Sequence, residues 1–263
     1  MLSYLSANLI KNDIERDAVL LLHAFPLSAA MWRPQLEALG EAGYVVVAPN
    51  AYGIAGSGVM EGWSFTGYAH ELARLLESLN IVRATVVGLS MGGYQAFEFY
   101  RLYPGKTASL VLCDTRAEAD APAARSMREE FIGAVEAGGA EEAARRMIPN
   151  YFTAESSLNN PELVKEAGAM IREQSATVIN AAMRAIMMRH NATPLLASIH
   201  CPVLIVNGSE DKLTTPETAE SIHTLTVGSQ LLLLKGAAHI SNMEQPQAFN
   251  SALLAHLEEV RRS

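Results

Sequence analysis

Cysteine is nearly absent. Cys113 and Cys201 are the only two in 263 residues. Both flank apolar, strand-like runs, which predicts two buried free thiols in a reduced compartment. Positive charge is also short: 20 Lys and Arg against 28 Asp and Glu give a formal charge of −8. That balance argues against a nucleic-acid surface, and the scattered acids read as a solvated, mutually repelling exterior. No apolar run approaches the length of a membrane span. The start, Met1-Leu2-Ser3-Tyr4-Leu5-Ser6, lacks a basic segment followed by an apolar core. A cytoplasmic protein with no membrane partner is therefore expected, as a monomer or small homo-oligomer. No Cys/His cluster has metal-ligand spacing and no glycine-rich phosphate loop is seen, so neither metal nor cofactor is expected. Repeats and low-complexity tracts are missing too. What is plentiful is apolar residue, 49% of the chain, enough for one large core with room for an insertion.

In chain order, Leu2 to Ile10 carries a weak strand or hairpin pattern. Ala18 to Leu22 is a clear buried strand, followed by a loop and a helix over Ala29 to Ala42. Tyr44 to Ala48 is the next strand, and Pro49 to Gly58 a glycine-rich loop. Ser64 to Leu79 is a helix with Leu72, Leu75, Leu76 and Leu79 on one face. Ala84 to Val87 and Ala108 to Cys113 are further strands. Strands alternating with helices predict an α/β fold with a mostly parallel, doubly covered sheet. The rhythm then breaks. Ser126 to Ala137, Ala140 to Ile148, Pro161 to Gln174 and Ala176 to Arg189 all have helical spacing. Strands return at Pro202 to Asn207 and Gln230 to Leu234, with helices over Pro216 to Leu225 and Gln247 to Val260. The expected division is a sheet core of residues 1–115 and 197–263 and an all-helical cap of residues 116–196.

The stretch Val86-Val87-Gly88-Leu89-Ser90-Met91-Gly92-Gly93-Tyr94 organises the core. Strand, sharp turn and helix place Ser90 on the turn with its hydroxyl lifted clear of the sheet. The flanking glycines remove Cβ atoms that would collide with neighbouring backbone. A serine hydroxyl needs a base, and the base needs an orienting partner. In an open parallel sheet such groups lie just past the strand ends. His239, in Lys235-Gly236-Ala237-Ala238-His239-Ile240, follows the last strand and is the candidate base. Asp211 follows the strand Val203 to Asn207 and is the favoured acid, by the chain order serine, acid, histidine. Asp114, after the strand next to Ser90, is its rival. Acyl transfer also calls for two N–H donors. Met91, at a helix start, supplies one. The other falls to Phe25, with Leu27 second, because Pro26 has no N–H. His23 reads as a residue that holds its loop in shape.

These residues together resemble the α/β-hydrolase superfamily, in its capped branch of small esterases and lactonases. The resemblance rests on His23-Ala24-Phe25-Pro26-Leu27-Ser28, Gly88-Leu89-Ser90-Met91-Gly92-Gly93, Asn207-Gly208-Ser209-Glu210-Asp211 and Gly236-Ala237-Ala238-His239. It implies a triad of Ser90, Asp211 and His239, an acyl-enzyme intermediate and no cofactor. Serine at the nucleophile position sets aside the branches that use aspartate. Two departures stand out. Ala24 replaces the family's usual glycine. Asn50 and Tyr52 replace the Asp and Arg that form a charged brace beneath the oxyanion loop, so a neutral hydrogen-bonded brace is expected in its place.

The partner implied is a small-molecule ester or lactone. Tyr151, Phe152 and Met187 from the cap, with Trp32, Leu213 and Ile240 from below, are the candidate substrate-binding residues. An apolar, enclosed pocket for short to medium neutral acyl groups follows from their side chains. A cyanohydrin-type lyase on the same triad and a non-catalytic binding module are the competing functions.

Overall fold

The computed structural model describes residues 1–10 and 15–262. Seven strands form one sheet: β1 (Tyr4–Ala7), β2 (Arg16–Leu22), β3 (Val46–Pro49), β4 (Ile81–Leu89), β5 (Thr107–Cys113), β6 (Val203–Gly208) and β7 (Gln230–Leu234). Their order is β1-β3-β2-β4-β5-β6-β7. Every pairing is parallel except β1 with β3, where Tyr4 faces Pro49 and Ala7 faces Val46. The central strands are buried on both faces, which is why Leu20 to Leu22 and Val86 to Leu89 read as unbroken apolar runs. The weak pattern over Leu2 to Ile10 resolves as the four-residue edge strand β1, whose side chains are half-buried or exposed.

Helices α1 (Arg33–Glu41), α2 (Phe65–Ser78) and α3 (Met91–Leu102) cover the first half of the sheet. The single helix expected over Ala29 to Ala42 is instead a 3₁₀ turn, Ala29–Trp32, followed by α1. Pro34 is the reason: without an N–H it fits only a first helical turn, so the α-helix begins around it. Ser64 caps α2 by accepting the Gly67 N–H at 3.1 Å.

Between β5 and β6 the chain contains no strand. It forms α4 (Pro122–Met147), α5 (Ala154–Asn159), α6 (Pro161–Arg172), α7 (Ala176–Met187) and α8 (Thr193–Leu196). Gly139, at φ 68° and ψ −161°, breaks α4 where two separate helices were expected. The short α5 and α8 carry too few residues for a periodic signal. The two ends of this helical insertion are pinned to each other. The Ala192 N–H donates to Ala117 C=O at 2.7 Å. Asp120 pairs with Arg189 at 2.8 Å, both side chains only 3% exposed, and with Arg128 at 2.5 Å. After β6 come α9 (Pro216–Leu225), α10 (Ser241–Glu244) and α11 (Pro246–Arg262). Both cysteines are free, but only Cys113 is fully buried. Cys201 is half-buried, because it precedes β6 at the strand's entry and not in its centre. Among the described residues no helix is long and apolar enough to cross a membrane.

Candidate active site

Leu22 of β2 lies beside Gly88 of β4, so the loops that follow these two strands leave the sheet together. Ser90 stands at φ 56° and ψ −112°, a region that side chains disfavour. Neighbours hold it there. Its N–H donates to Cys113 C=O at 2.9 Å, and its C=O accepts from the Gly93 N–H at 2.9 Å and the Thr115 hydroxyl at 2.8 Å. A Cβ on Gly88 would lie 2.2 Å from the Gly92 carbonyl oxygen. One on Gly92 would lie 2.0 Å from that of Leu22. Neither position admits a side chain, so the turn can close only with glycine.

Three strand ends then converge. The Ser90 hydroxyl and His239 Nε2 are 2.9 Å apart, and His239 Nδ1 lies 2.8 Å from Asp211 Oδ2. His239 and Asp211 are buried, while Ser90 is half-buried. Asp211 is saturated with donors. Its Oδ1 accepts the N–H groups of Leu213 (2.8 Å) and Thr214 (3.1 Å), and its Oδ2 also accepts the Thr214 hydroxyl at 2.5 Å. Burial alone would raise the Asp211 carboxyl. The charge and hydrogen bond of His239, with those of Thr214, outweigh it and hold the group below the ordinary carboxylate value. With Nδ1 donating to Asp211, Nε2 is left to accept the serine proton.

Asp114 does not reach the imidazole ring. Its Oδ1 accepts the Gly208 N–H at 2.8 Å and its Oδ2 meets the Ser241 hydroxyl at 2.5 Å. Burial, reinforced by the negative charge of Asp211, raises its carboxyl well above the usual range. The two acids thus share one neighbourhood with opposite preferences, Asp211 for the charged form and Asp114 for the neutral one.

In the loop after β2, His23 is buried and neutral. Its Nδ1–H donates to Ala24 C=O at 2.9 Å and its Nε2 accepts the Ala51 N–H at 3.0 Å. Burial lowers its pKa to about 4. Asn50 occupies the brace position without charge. Its Oδ1 accepts the Ala29 N–H at 2.8 Å, and its Nδ2 donates to the Ser3 hydroxyl at 3.0 Å. Tyr52 turns away into an aromatic cluster, its ring 5.6 Å from Trp63 and 5.5 Å from Tyr68. Among the described residues, the backbone N–H groups of Phe25 and Met91 have no hydrogen-bond acceptor.

Of the six candidate substrate-binding residues, three touch this array. The Tyr151 ring stacks on His239 with centroids 6.1 Å apart. Ile240 donates its N–H to Tyr151 C=O at 3.1 Å. Leu213 is the donor to Asp211 named above. Phe152 packs edge-on against Tyr151 at 6.3 Å, and Met187 is half-buried at the end of α7. Trp32 lies 6.0 Å from Phe249 of α11 and is wholly buried. A groove of about 460 Å³ runs along the flank of α3 past Phe65, Tyr94, Phe97, Arg116 and Leu195. It includes none of the six, nor Ser90, Asp211 or His239.

Several participants escaped the sequence reading. Thr214 had a usable signal, a hydroxyl three residues after an acid on a strand-end turn. Phe131, edge-on to Phe25 at 5.8 Å, and Gln174, whose Nε2 donates to Pro26 C=O at 2.5 Å, had none. Both come from the insertion and meet the loop only in three dimensions.

Comparison with known proteins adds the following. The family model described as "Alpha/beta hydrolase family" matches residues 19–252. A 3-oxoadipate enol-lactonase of Acinetobacter baylyi is 27% identical over 242 residues, covering 92% of this chain and 88% of that protein. A thermophilic esterase from Thermogutta terrifontis, solved with malate bound, superposes with a TM-score of 0.92 at 32% identity, covering 98% of this chain and 93% of the other. The enol-lactonase from Burkholderia xenovorans LB400 shares the fold, with a TM-score of 0.87 at 21% identity over 98% and 96% of the two chains.

Proposed function

The chain belongs to the α/β hydrolase family, and on that premise we propose that it is a serine hydrolase of carboxylic esters or lactones. The observation that carries this reading is the hydrogen-bonded row Ser90–His239–Asp211, at 2.9 and 2.8 Å. Ser90 attacks the carbonyl carbon while His239 Nε2 takes its proton. Asp211 keeps the Nδ1–H tautomer in place and stabilises the imidazolium as it forms. The negative charge that develops on the carbonyl oxygen falls to the free N–H groups of Phe25 and Met91, the latter at the start of α3, where the helix dipole adds to it. Collapse of the tetrahedral species expels the alkoxide, which His239 protonates. Water, activated by the same histidine, then hydrolyses the acyl-enzyme. The residues present complete this cycle without a cofactor.

The helical insertion acts as a cap over Ser90. Tyr151 and Phe152 from the cap, with Leu213 and Ile240 from the core, give the site apolar walls. Short to medium neutral acyl groups fit such walls better than dicarboxylates. The lactonase and the esterase among the relatives support esters and lactones as the substrate class. The test is kcat/KM over p-nitrophenyl esters of increasing acyl length and a small set of lactones, with fluorophosphonate labelling alongside. Turnover peaking on short to medium neutral acyl chains is expected, with labelling lost in Ser90→Ala. Labelling that survives that substitution would remove Ser90 from the chemistry.

A further inference from the structure

The segment Tyr151–Thr153 belongs by chain position to the insertion, yet it hangs on the core. The Ile240 N–H donates to Tyr151 C=O at 3.1 Å. Glu244 of α10 accepts from the Thr153 N–H and hydroxyl, each at 2.7 Å, and from the Ala238 N–H at 2.6 Å. Ala238 and Ile240 flank His239. This fixed backbone carries a wholly buried Tyr151 side chain in two directions: the ring lies on His239, and the hydroxyl donates to Phe25 C=O at 2.5 Å. Burial raises the phenol well above its ordinary pKa, so it stays a donor throughout the working range.

The peptide that carries the Phe25 N–H is already held by its other end. Its carbonyl, that of Ala24, accepts from His23 Nδ1–H at 2.9 Å and from the Leu27 N–H at 2.9 Å. What remains free is rotation about the Phe25 backbone, and Tyr151 holds the far side of that pivot. Gln174 holds the next carbonyl, that of Pro26, at 2.5 Å. An amide that must stabilise a developing charge works only if its direction is set before the reaction.

We infer that Tyr151 is a positioning residue, whose hydroxyl, seconded by the Gln174 amide, aims the Phe25 N–H at the reacting carbonyl, so that the cap completes the oxyanion site as well as covering it. The inference rests on the hydrolase reading above and deepens it. It makes Tyr151 an aligner of the loop, with its polar end turned away from substrate.

The experiment compares Tyr151→Phe with the wild type in ester hydrolysis and in the binding of two inhibitors of like shape. One is an alkyl trifluoromethyl ketone, which adds Ser90 and forms an oxyanion. The other is the matching alkyl ether, which cannot. Loss of a whole oxyanion donor costs 10²- to 10³-fold, so a donor left in place but loosely aimed is expected to cost about 10-fold. That loss should fall on kcat, with KM within about twofold, and the ketone should weaken by the same factor while the ether does not. Wild-type kcat and ketone affinity would overturn the inference, as would equal weakening of ketone and ether, which marks a plain pocket wall. If Tyr151→Phe does not fold, Gln174→Leu is read by the same ratios, with the same outcomes on either side. Ser90→Ala is run in parallel. An active Ser90→Ala would overturn the hydrolase reading itself, whereas an inactive one beside an unimpaired Tyr151→Phe would overturn only the positioning role.

Discussion

Ser90, Asp211 and His239 meet from the ends of β4, β6 and β7, whose relative heights are set by backbone hydrogen bonds. Tyr151 and Gln174 meet the same place from an insertion tied to the core there by one backbone bond, from the Ile240 N–H to Tyr151 C=O, and otherwise by side chains: a phenol, an amide, and the Glu244 carboxylate. The two regions therefore fail differently. In the core, position is a property of the sheet's backbone. In the insertion the phenol, amide and carboxylate ties are each one side chain deep, so a single substitution can loosen a segment. The sheet gives Ser90, His239 and Asp211 their distances. The insertion gives them their surroundings.

The sharpest way to test the core half of that contrast is to exchange its two acids for amides. Asp211→Asn should lower kcat on the order of 10⁴-fold, since the amide cannot hold the Nδ1–H tautomer. Asp114→Asn should cost less than about 10-fold, because an amide can still accept the Gly208 N–H and meet the Ser241 hydroxyl. Steady-state hydrolysis of one p-nitrophenyl ester ranks them, and the opposite ranking would move the orienting acid to the end of β5.

The insertion half is tested at its base. Arg189→Met removes one cation from the buried Asp120 and should cost on the order of 3 kcal/mol locally. Trp32 and Trp63, the only tryptophans, are both in the core, so their fluorescence follows the sheet while ester turnover follows the assembled site. In urea, the variant should lose turnover at a lower concentration than it loses the tryptophan signal. If the two midpoints move together, the insertion and sheet unfold as one unit and the contrast is wrong.

A smaller effect is expected from His23. Its pKa is about 4 in the fold and about 6.5 in an unfolded chain, so below pH 6.5 the unfolded state takes up a proton that the folded state refuses. The stability linked to this residue is complete above that pH and drains away as pH falls towards 4. The arithmetic gives a loss of roughly 2 kcal/mol between pH 7 and pH 5. The measurement is the difference in unfolding free energy between wild type and His23→Gln at those two pH values. A difference that does not change with pH would mean that His23 titrates normally.

The same division governs what was legible in the sequence. The turn at Ser90 announces itself because its cause is local: a strand, a helix and glycines that admit no Cβ, all within a few residues. Asp211 and His239 were legible at one remove, through the rule that such groups follow strand ends. The Asn50 brace could be anticipated as neutral, but not its partners, Ser3 and Ala29, which lie far away in the chain. Trp32 shows the limit. It is a candidate for the pocket from below, and the turn before Pro34 brings it against Phe249 of α11, a neighbour that nothing local encodes. The bond from Tyr151 to Phe25 spans 126 residues and leaves no periodic trace at either end.

The links that hold the loop after β2 carry no net charge at either end. Ser3 meets Asn50, Asn50 meets Ala29, Ala51 meets a neutral His23, and Tyr151 meets Phe25. Dissolved ions act on charges and find none along this chain of dipoles, so ionic strength has no lever on the shape of the loop. An Asp and Arg pair in the same place would have given it one. A solution dense with salt and a dilute one should therefore leave the same arrangement of donors in the loop.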